Sequence, residues 1–221
     1  MQKQVALARI AQGVAKFQAE IYPAQREMFE RLRGTQDPLA LFVTCADARV
    51  VPNLFTQTEP GEIFIERNPG NMVPPYVEFV GGVTAGVEYA MLGLKVPVVV
   101  VCGHTDCGVM RALLHPETVE GMPGMQKWMS HAFEARERVL REFDEAPEEE
   151  RMRRMTEYNV LGQIENLKTH PSVRARLFKG EIEIRGWVYD IGDGSIREAN
   201  PDTGRFELLG EEGLGSQIEP M

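Results

Sequence analysis

Apolar positions follow more than one rhythm along this chain. Leu7, Ile10, Ala11, Val14, Phe17 and Ile21 recur at helical spacing, which predicts an amphipathic helix over 2–20. A second helix is expected from about Pro23, which suits a first turn, to Gly34, which suits a stop. Then come short apolar runs without clean alternation, Leu39–Thr44 (LALFVT) and Val98–Val101 (VVVV). Such runs read as strands buried on both faces. Between them Glu62–Glu66 (EIFIE) predicts another strand. Tyr76–Leu94 predicts a crossover helix despite Gly81, Gly82 and Gly86. Each interior glycine costs about 1 kcal/mol against alanine, so close packing is expected there.

Further on, a short helix is expected over 108–114, broken by His115-Pro116. Two longer helices follow, 122–141 and 148–169, the second with Val160, Ile164 and Leu167 as its apolar stripe. Glu181–Ile191 predicts a strand, and Gly192-Asp193-Gly194 turns it into a hairpin with Ser195–Glu198. From about Leu208 a Gly- and Glu-rich loose tail is expected. The order strand, strand, helix, strand implies right-handed parallel crossovers. The expected fold class is therefore α/β: a mostly parallel central sheet, an antiparallel edge hairpin, helices on both faces and an N-terminal helical arm. With no internal repeat and no low-complexity linker, one domain is expected over 1–221, with the arm at 1–34 and the tail at about 208–221. The arm precedes the first strand and has no crossover duty. Its pattern leaves open whether it covers its own sheet or packs on a neighbouring subunit.

Composition narrows the function. The chain has 221 residues, 43% hydrophobic and 26% charged, with a net charge of −9. That balance belongs to a soluble globular protein and disfavours nucleic acid or an anionic membrane as partner. No apolar run reaches the length of a membrane span, and the N-terminus carries Lys3, Arg9 and Lys16 without a continuous apolar core of a secretory signal. Three cysteines do not make a disulfide framework and suit a reducing compartment, so a cytoplasmic location is expected.

The chemistry gathers where two predicted strands end. The valine run leads into Cys102-Gly103-His104-Thr105-Asp106-Cys107, and the LALFVT run into Cys45-Ala46-Asp47-Ala48-Arg49. Ligands collect at strand ends in parallel α/β sheets. His-x-x-Cys or Cys-x-Asp-x-Arg alone is a weak signal, but both at strand ends, with a crossover helix between, are much more specific. Cys45, His104 and Cys107 are the thiolate and imidazole ligands zinc prefers, and three ligands leave a fourth position for water. Two thiolates cancel the formal charge of the ion, so its water is acidified less and activity is expected to favour mildly alkaline pH. Asp47 is placed either to orient that water or to occupy the fourth position, and Arg49 is spaced to pair with it bidentately and decide between the two. Cys102 reads as a buried core thiol, His115 as a loop residue, and His131 and His170 as surface or cap residues.

These residues resemble the β-class carbonic anhydrases. Cys45-Ala46-Asp47-Ala48-Arg49-Val50 is similar to that family's C-x-D-x-R-[VL] motif, and His104-Thr105-Asp106-Cys107-Gly108 to its H-x-x-C-G. Similar stretches include Glu59-Pro60-Gly61-Glu62, Arg67-Asn68 with Asn71, Glu88-Tyr89-Ala90, Asn159-Val160 with Gln163, Asn166-Leu167, and Gly186–Asp190, so the likeness spans roughly residues 30–200. It implies reversible hydration of carbon dioxide to bicarbonate and a proton. It also implies one zinc ion per subunit on Cys45, His104 and Cys107, and a catalytic dyad of Asp47 and Arg49. The implied assembly is a homodimer, or dimer of dimers, with active sites near the interface and N-terminal helices embracing the partner. Gln36, Phe64 and Tyr89 match the glutamine, phenylalanine and tyrosine that surround substrate in the plant-type subclass. The bicarbonate-inhibited subclass has tryptophan three positions before the first zinc cysteine. Here Phe42 stands there, which favours an open zinc. Some plant-type relatives carry a proton-passing histidine four positions after the tyrosine; here it is Gly93, so turnover is expected to depend unusually on buffer. Two alternatives are a carbon disulfide or carbonyl sulfide hydrolase on the same scaffold and a non-enzymatic, zinc-stabilised bicarbonate sensor. No extra segment that would narrow access favours the first, and the presence of Asp47 and Arg49 speaks against the second.

Overall fold

The computed structural model describes residues 1–77 and 81–210. The chain divides into two compact units, Met1–Gln36 and the remainder from Asp37. In the first unit, α1 (Gln2–Lys16) runs into a wider π-helical turn at Phe17–Ile21, followed by α2 (Tyr22–Ala24) and α3 (Arg26–Arg31). The helix expected from Pro23 is thus interrupted at Gln25, whose ψ of 18° leaves the helical region. Phe17, Tyr22 and Phe29 form an aromatic trio, with Tyr22 and Phe29 stacked at 5.1 Å. The apolar stripe of α1 is exposed along Val5, Leu7, Ile10 and Val14.

The second unit is a six-stranded sheet with helices. Its elements are β1 (Ala40–Cys45), α4 (Pro52–Thr56), β2 (Ile63–Asn68), α5 (Gly82–Glu88), β3 (Val98–His104), α6 (Gly108–Leu114), α7 (Pro123–Trp128), α8 (Phe133–Glu142), α9 (Glu148–Lys168), α10 (Pro171–Phe178), β4 (Glu183–Tyr189), β5 (Ile196–Ala199) and β6 (Phe206–Leu208). The strand order is β2-β1-β3-β4-β5-β6. The first four strands are parallel, and β5 and β6 add antiparallel pairs. On one face Leu41, Val43, Val99, Val101 and Val188 form a core with Val87 of α5, Val160 and Leu167 of α9, and Val173 of α10. On the other face Phe42, Val100 and Cys102 pack with Phe55 of α4, Trp187 and Tyr189. Cys102 is fully buried, and burial pushes its thiol up to about 12, as suits a core residue.

Several boundaries differ from the expected ones for identifiable reasons. The crossover helix does not begin at Tyr76. Residues 72–77 are not helical, because Pro74 and Pro75 bias the residues before them toward extended backbone, and Tyr76 N–H donates to Thr169 Oγ1 at 2.8 Å. Helix is present from Gly82 and continues as a wider turn over Tyr89–Leu94. Residues 78–80 of that expected helix lie outside the described residues. The close approach expected of the glycines is seen at Gly86, where a Cβ would lie 2.6 Å from Glu66 Oε2; among the described residues nothing comes within 4 Å of a Cβ at Gly81 or Gly82. The helix expected over 122–141 is broken by a 3-10 turn at Met129–Ala132. Three elements went unanticipated, α4, α10 and β6. His170, expected at a surface or cap, does take the N-cap position of α10 but is buried, with Nε2 on Pro74 O at 3.0 Å. Most of the expected tail, residues 211–221, lies outside the described residues. No helix among the described residues is long and apolar enough to cross a membrane.

Candidate metal centre

β1 and β3 are hydrogen-bonded neighbours running the same way, with Thr44 opposite Cys102. Their last residues, Cys45 and His104, therefore leave the sheet side by side. After His104 the chain turns through Asp106, whose φ is +57°, and Cys107 takes the N-cap position of α6. The two sulfurs and an imidazole nitrogen come within 4.8 Å of one another, and all three residues are buried. His104 Nδ1 lies 2.8 Å from Thr105 O. A carbonyl only accepts, so Nδ1 carries the proton and Nε2 presents a lone pair. Nε2 is buried and has no hydrogen-bond partner among the described residues. An orphaned imidazole lone pair facing two thiols is a donor set that fits zinc.

The two thiols share one region of charge. The Cys107 S–H bonded to its sulfur outweighs burial and brings Cys45 down to about 4, with help from the Gly70 N–H at 3.3 Å. Cys107 is driven well upward by the neighbouring thiolate and by its own burial. A bound cation reverses that second effect, since it holds both sulfurs as thiolates.

Asp47 stands at the rim of the cluster, its Oδ2 4.0 Å from His104 Nε2. Arg49 grips it bidentately, Nε to Oδ1 at 3.0 Å and Nη2 to Oδ2 at 2.8 Å, and the Arg49 backbone N–H adds a third bond at 2.9 Å. Arg49 Nη2 also reaches Asp106 O at 3.1 Å, tying the two strand-end loops together. The guanidinium holds the Asp47 carboxyl well below the usual carboxylate range.

The loop has supports that the sequence reading singled out only as motif residues. Arg67 donates to the carbonyls of Cys45, Asp47 and Val50 at 3.2, 2.8 and 2.9 Å. Asn68 closes the following turn, accepting from Met72 N at 2.7 Å and donating to Met72 O at 2.9 Å. Asn159 and Gln163 of α9 bond the same region from the core. The signal for them was present as polar residues spaced four apart beside an apolar stripe.

Within the second unit, Phe64 and Tyr89 are not drawn to this cluster. Phe64 lies opposite Leu41, four positions back from Cys45 in register, about 13 Å at the rise of a strand. Phe64 and Tyr89 do meet each other, with rings 5.9 Å apart, and Tyr89 is half exposed. Gln36 ends the N-terminal unit. Of the remaining histidines, His115 sits between Glu117 and Glu148, and His131 packs edge-on against Trp128.

Fold and site together define an enzyme of the α/β class in which Cys45, His104 and Cys107, gathered where two adjacent parallel strands end, could hold a metal ion. Residues 40–196 match the family described as carbonic anhydrase. A carbonic anhydrase of Pseudomonas aeruginosa is 43% identical over 202 residues, 91% of each chain. The solved β-carbonic anhydrase CcaA superposes with a TM-score of 0.89 at 34% identity, covering 92% of this chain and 100% of that one. One of two tetrameric β-carbonic anhydrases of Sordaria macrospora gives 0.69 at 28% identity, covering 94% of this chain and 96% of that one. The chain belongs to the β-class carbonic anhydrase family.

Proposed function

We propose that this chain catalyses the reversible hydration of carbon dioxide with zinc held by Cys45, His104 and Cys107, and with Asp47 and Arg49 as its catalytic dyad. The observation that carries the reading is the buried, unpartnered Nε2 of His104 facing two thiols, with an ionised carboxylate 4.0 Å away. Zinc supplies a Lewis acid that lowers the pKa of a water molecule. The residues of the chain do the rest. Arg49 occupies both oxygens of Asp47, which favours a carboxylate that stays off the ion and accepts a proton in a hydrogen bond at the open position. Thr105 O fixes the His104 tautomer, and Arg67 keeps the Cys45–Val50 loop from collapsing into the opening.

Phe64 and Tyr89 supply an apolar wall suited to uncharged carbon dioxide, and Gln36 a side-chain amide for an oxygen of bicarbonate. The placement of Phe64 and Tyr89 away from the cluster supports a site completed by a second chain. The exposed apolar stripe of α1 gives that chain a surface to hold, and the Sordaria neighbour is a tetramer. Three thiols without a disulfide suit the cytoplasm. Stopped-flow hydration from about pH 6.5 to 9, on protein of measured zinc content, tests the reading. Rapid hydration that scales with zinc and is present near neutral pH is expected. Activity confined to clearly alkaline pH would instead indicate Asp47 on the metal, and none at full zinc occupancy would overturn the assignment.

A further inference from the structure

A backbone amide that reaches the sulfur of Cys45 belongs to Gly70, at 3.3 Å. That amide has little freedom. Gly70 sits in a tight turn at φ +77°, and a Cβ there would lie 3.1 Å from Val109 and 3.2 Å from the Met72 methyl. Two side chains from elsewhere hold the turn: Trp128 Nε1 donates to Pro69 O at 2.8 Å, and Asn159 Nδ2 donates to Gly70 O at 3.0 Å. Asn159 is fully buried in α9, and the way its amide faces is also fixed. Gln163 Nε2 donates to Asn159 Oδ1 at 2.9 Å, so Asn159 turns its Nδ2 toward Gly70. Gln163 is set in turn by Val73 N–H at 2.7 Å on its Oε1 and by its own bond to His131 O at 2.8 Å. Two buried amides in a core helix are tolerated only when fully bonded, and here their bonds run in series to the sulfur.

We propose that Asn159, gripping Gly70 from α9, is a positioning residue for the Cys45 sulfur: it holds the Gly70 N–H on that sulfur and so sets how much negative charge the sulfur gives to a bound ion. An N–H aimed at a thiolate draws charge from it; releasing the turn leaves a more electron-rich ligand in a looser site. The inference rests on Cys45 being a ligand.

Cobalt(II) substitution provides a readout independent of turnover, the sulfur-to-cobalt charge-transfer absorption. Asn159→Leu keeps the bulk and removes the donor. Its band is expected at longer wavelength than wild type, with cobalt affinity lowered about 10-fold. Gln163→Met frees the Asn159 amide and is expected to move the band less, in the same direction; it carries the test if Asn159→Leu does not fold. Gly186→Ala crowds α9 against β4, with a Cβ 2.9 Å from Val160 and Ile164, yet touches no bond of the relay. It is expected to lower stability and leave the band in place. A wild-type band position in both relay variants, with only stability reduced, would overturn the proposal and leave the ligand assignment standing. A wild-type cobalt protein with no sulfur charge-transfer band would overturn the ligand assignment, and the proposal with it.

Discussion

Arg49 decides what Asp47 is free to do. Both carboxylate oxygens are engaged by one guanidinium, and the resulting downward shift keeps Asp47 ionised across the whole pH range in which the enzyme would be assayed. A rise of activity between pH 6.5 and 9 therefore does not report the titration of Asp47. Asn in its place keeps the shape and loses the charge, and the expected outcome is about 10–100-fold lower hydration with the inflection of the pH profile unmoved and zinc content unchanged. An inflection that shifts with the substitution would show that Asp47 itself titrates there. The thiols make a second prediction, with its sign set by their opposite shifts. Between pH 7 and 9 the metal-free site holds one thiolate, Cys45, lowered to about 4, and one thiol, Cys107, raised well above its ordinary value. Zinc binding then releases one proton, so affinity is expected to rise about tenfold per pH unit across that window. A chelator competition titration at three pH values measures the slope; a flat dependence would mean that both sulfurs are already ionised.

At the scale of elements, local signals and long-range ones part company. β1, β3 and α6 were legible because unbroken β-branched runs, a His-Pro break and residues set at the strand ends are local facts. The ligand triad followed from them, since parallel neighbours deliver their ends to one side. The start of the crossover helix went astray through a local signal, Pro74-Pro75, and a contact distant in sequence. Tyr76 is drawn out of the expected crossover helix by its bond to Thr169. Three-residue β6 exists through pairing with β5, Phe206 opposite Ala199. The support of the loop by Arg67 was illegible for the same reason, as its three acceptors lie on another strand's end. The packing of α9 on the sheet shows the converse, a sequence feature whose meaning only the fold supplies. Gly103 and Gly186 lie under Val160, where an added Cβ would come to 2.9 Å. Gly186→Ala is expected to destabilise the protein by about 1–3 kcal/mol through overpacking, read as a lower denaturation midpoint, while zinc content stays that of the wild type. An unchanged midpoint would mean that α9 shifts freely on β4.

At the scale of the whole molecule, the surface is the informative part. The net charge of −9 disfavours nucleic acid and anionic membranes as partners, yet α1 presents Val5, Leu7, Ile10 and Val14 to solvent, and the second unit exposes Val51, Leu54, Tyr89 and Leu92. Exposed apolar surface of this kind is what an interface between chains would cover. The proposed site carries the same implication independently: Cys45, His104, Cys107, Asp47 and Arg49 lie in one stretch of sheet ends, whereas Phe64, with Tyr89 against it, lies about 13 Å away by strand rise and would serve a neighbouring chain's ion. On the proposed function, metal binding is a property of one chain and catalysis a property of the assembly. Replacing Leu7, Ile10 and Val14 together by serine separates the two. The expected outcome is a lower mass by analytical ultracentrifugation, full zinc occupancy, and hydration reduced at least tenfold at concentrations where the wild-type assembly is intact. Raising the protein concentration should restore mass and activity together, because both follow one association equilibrium. Undiminished hydration in a species shown to be monomeric would mean that a single chain completes its own substrate wall, and the role of α1 would reduce to stability.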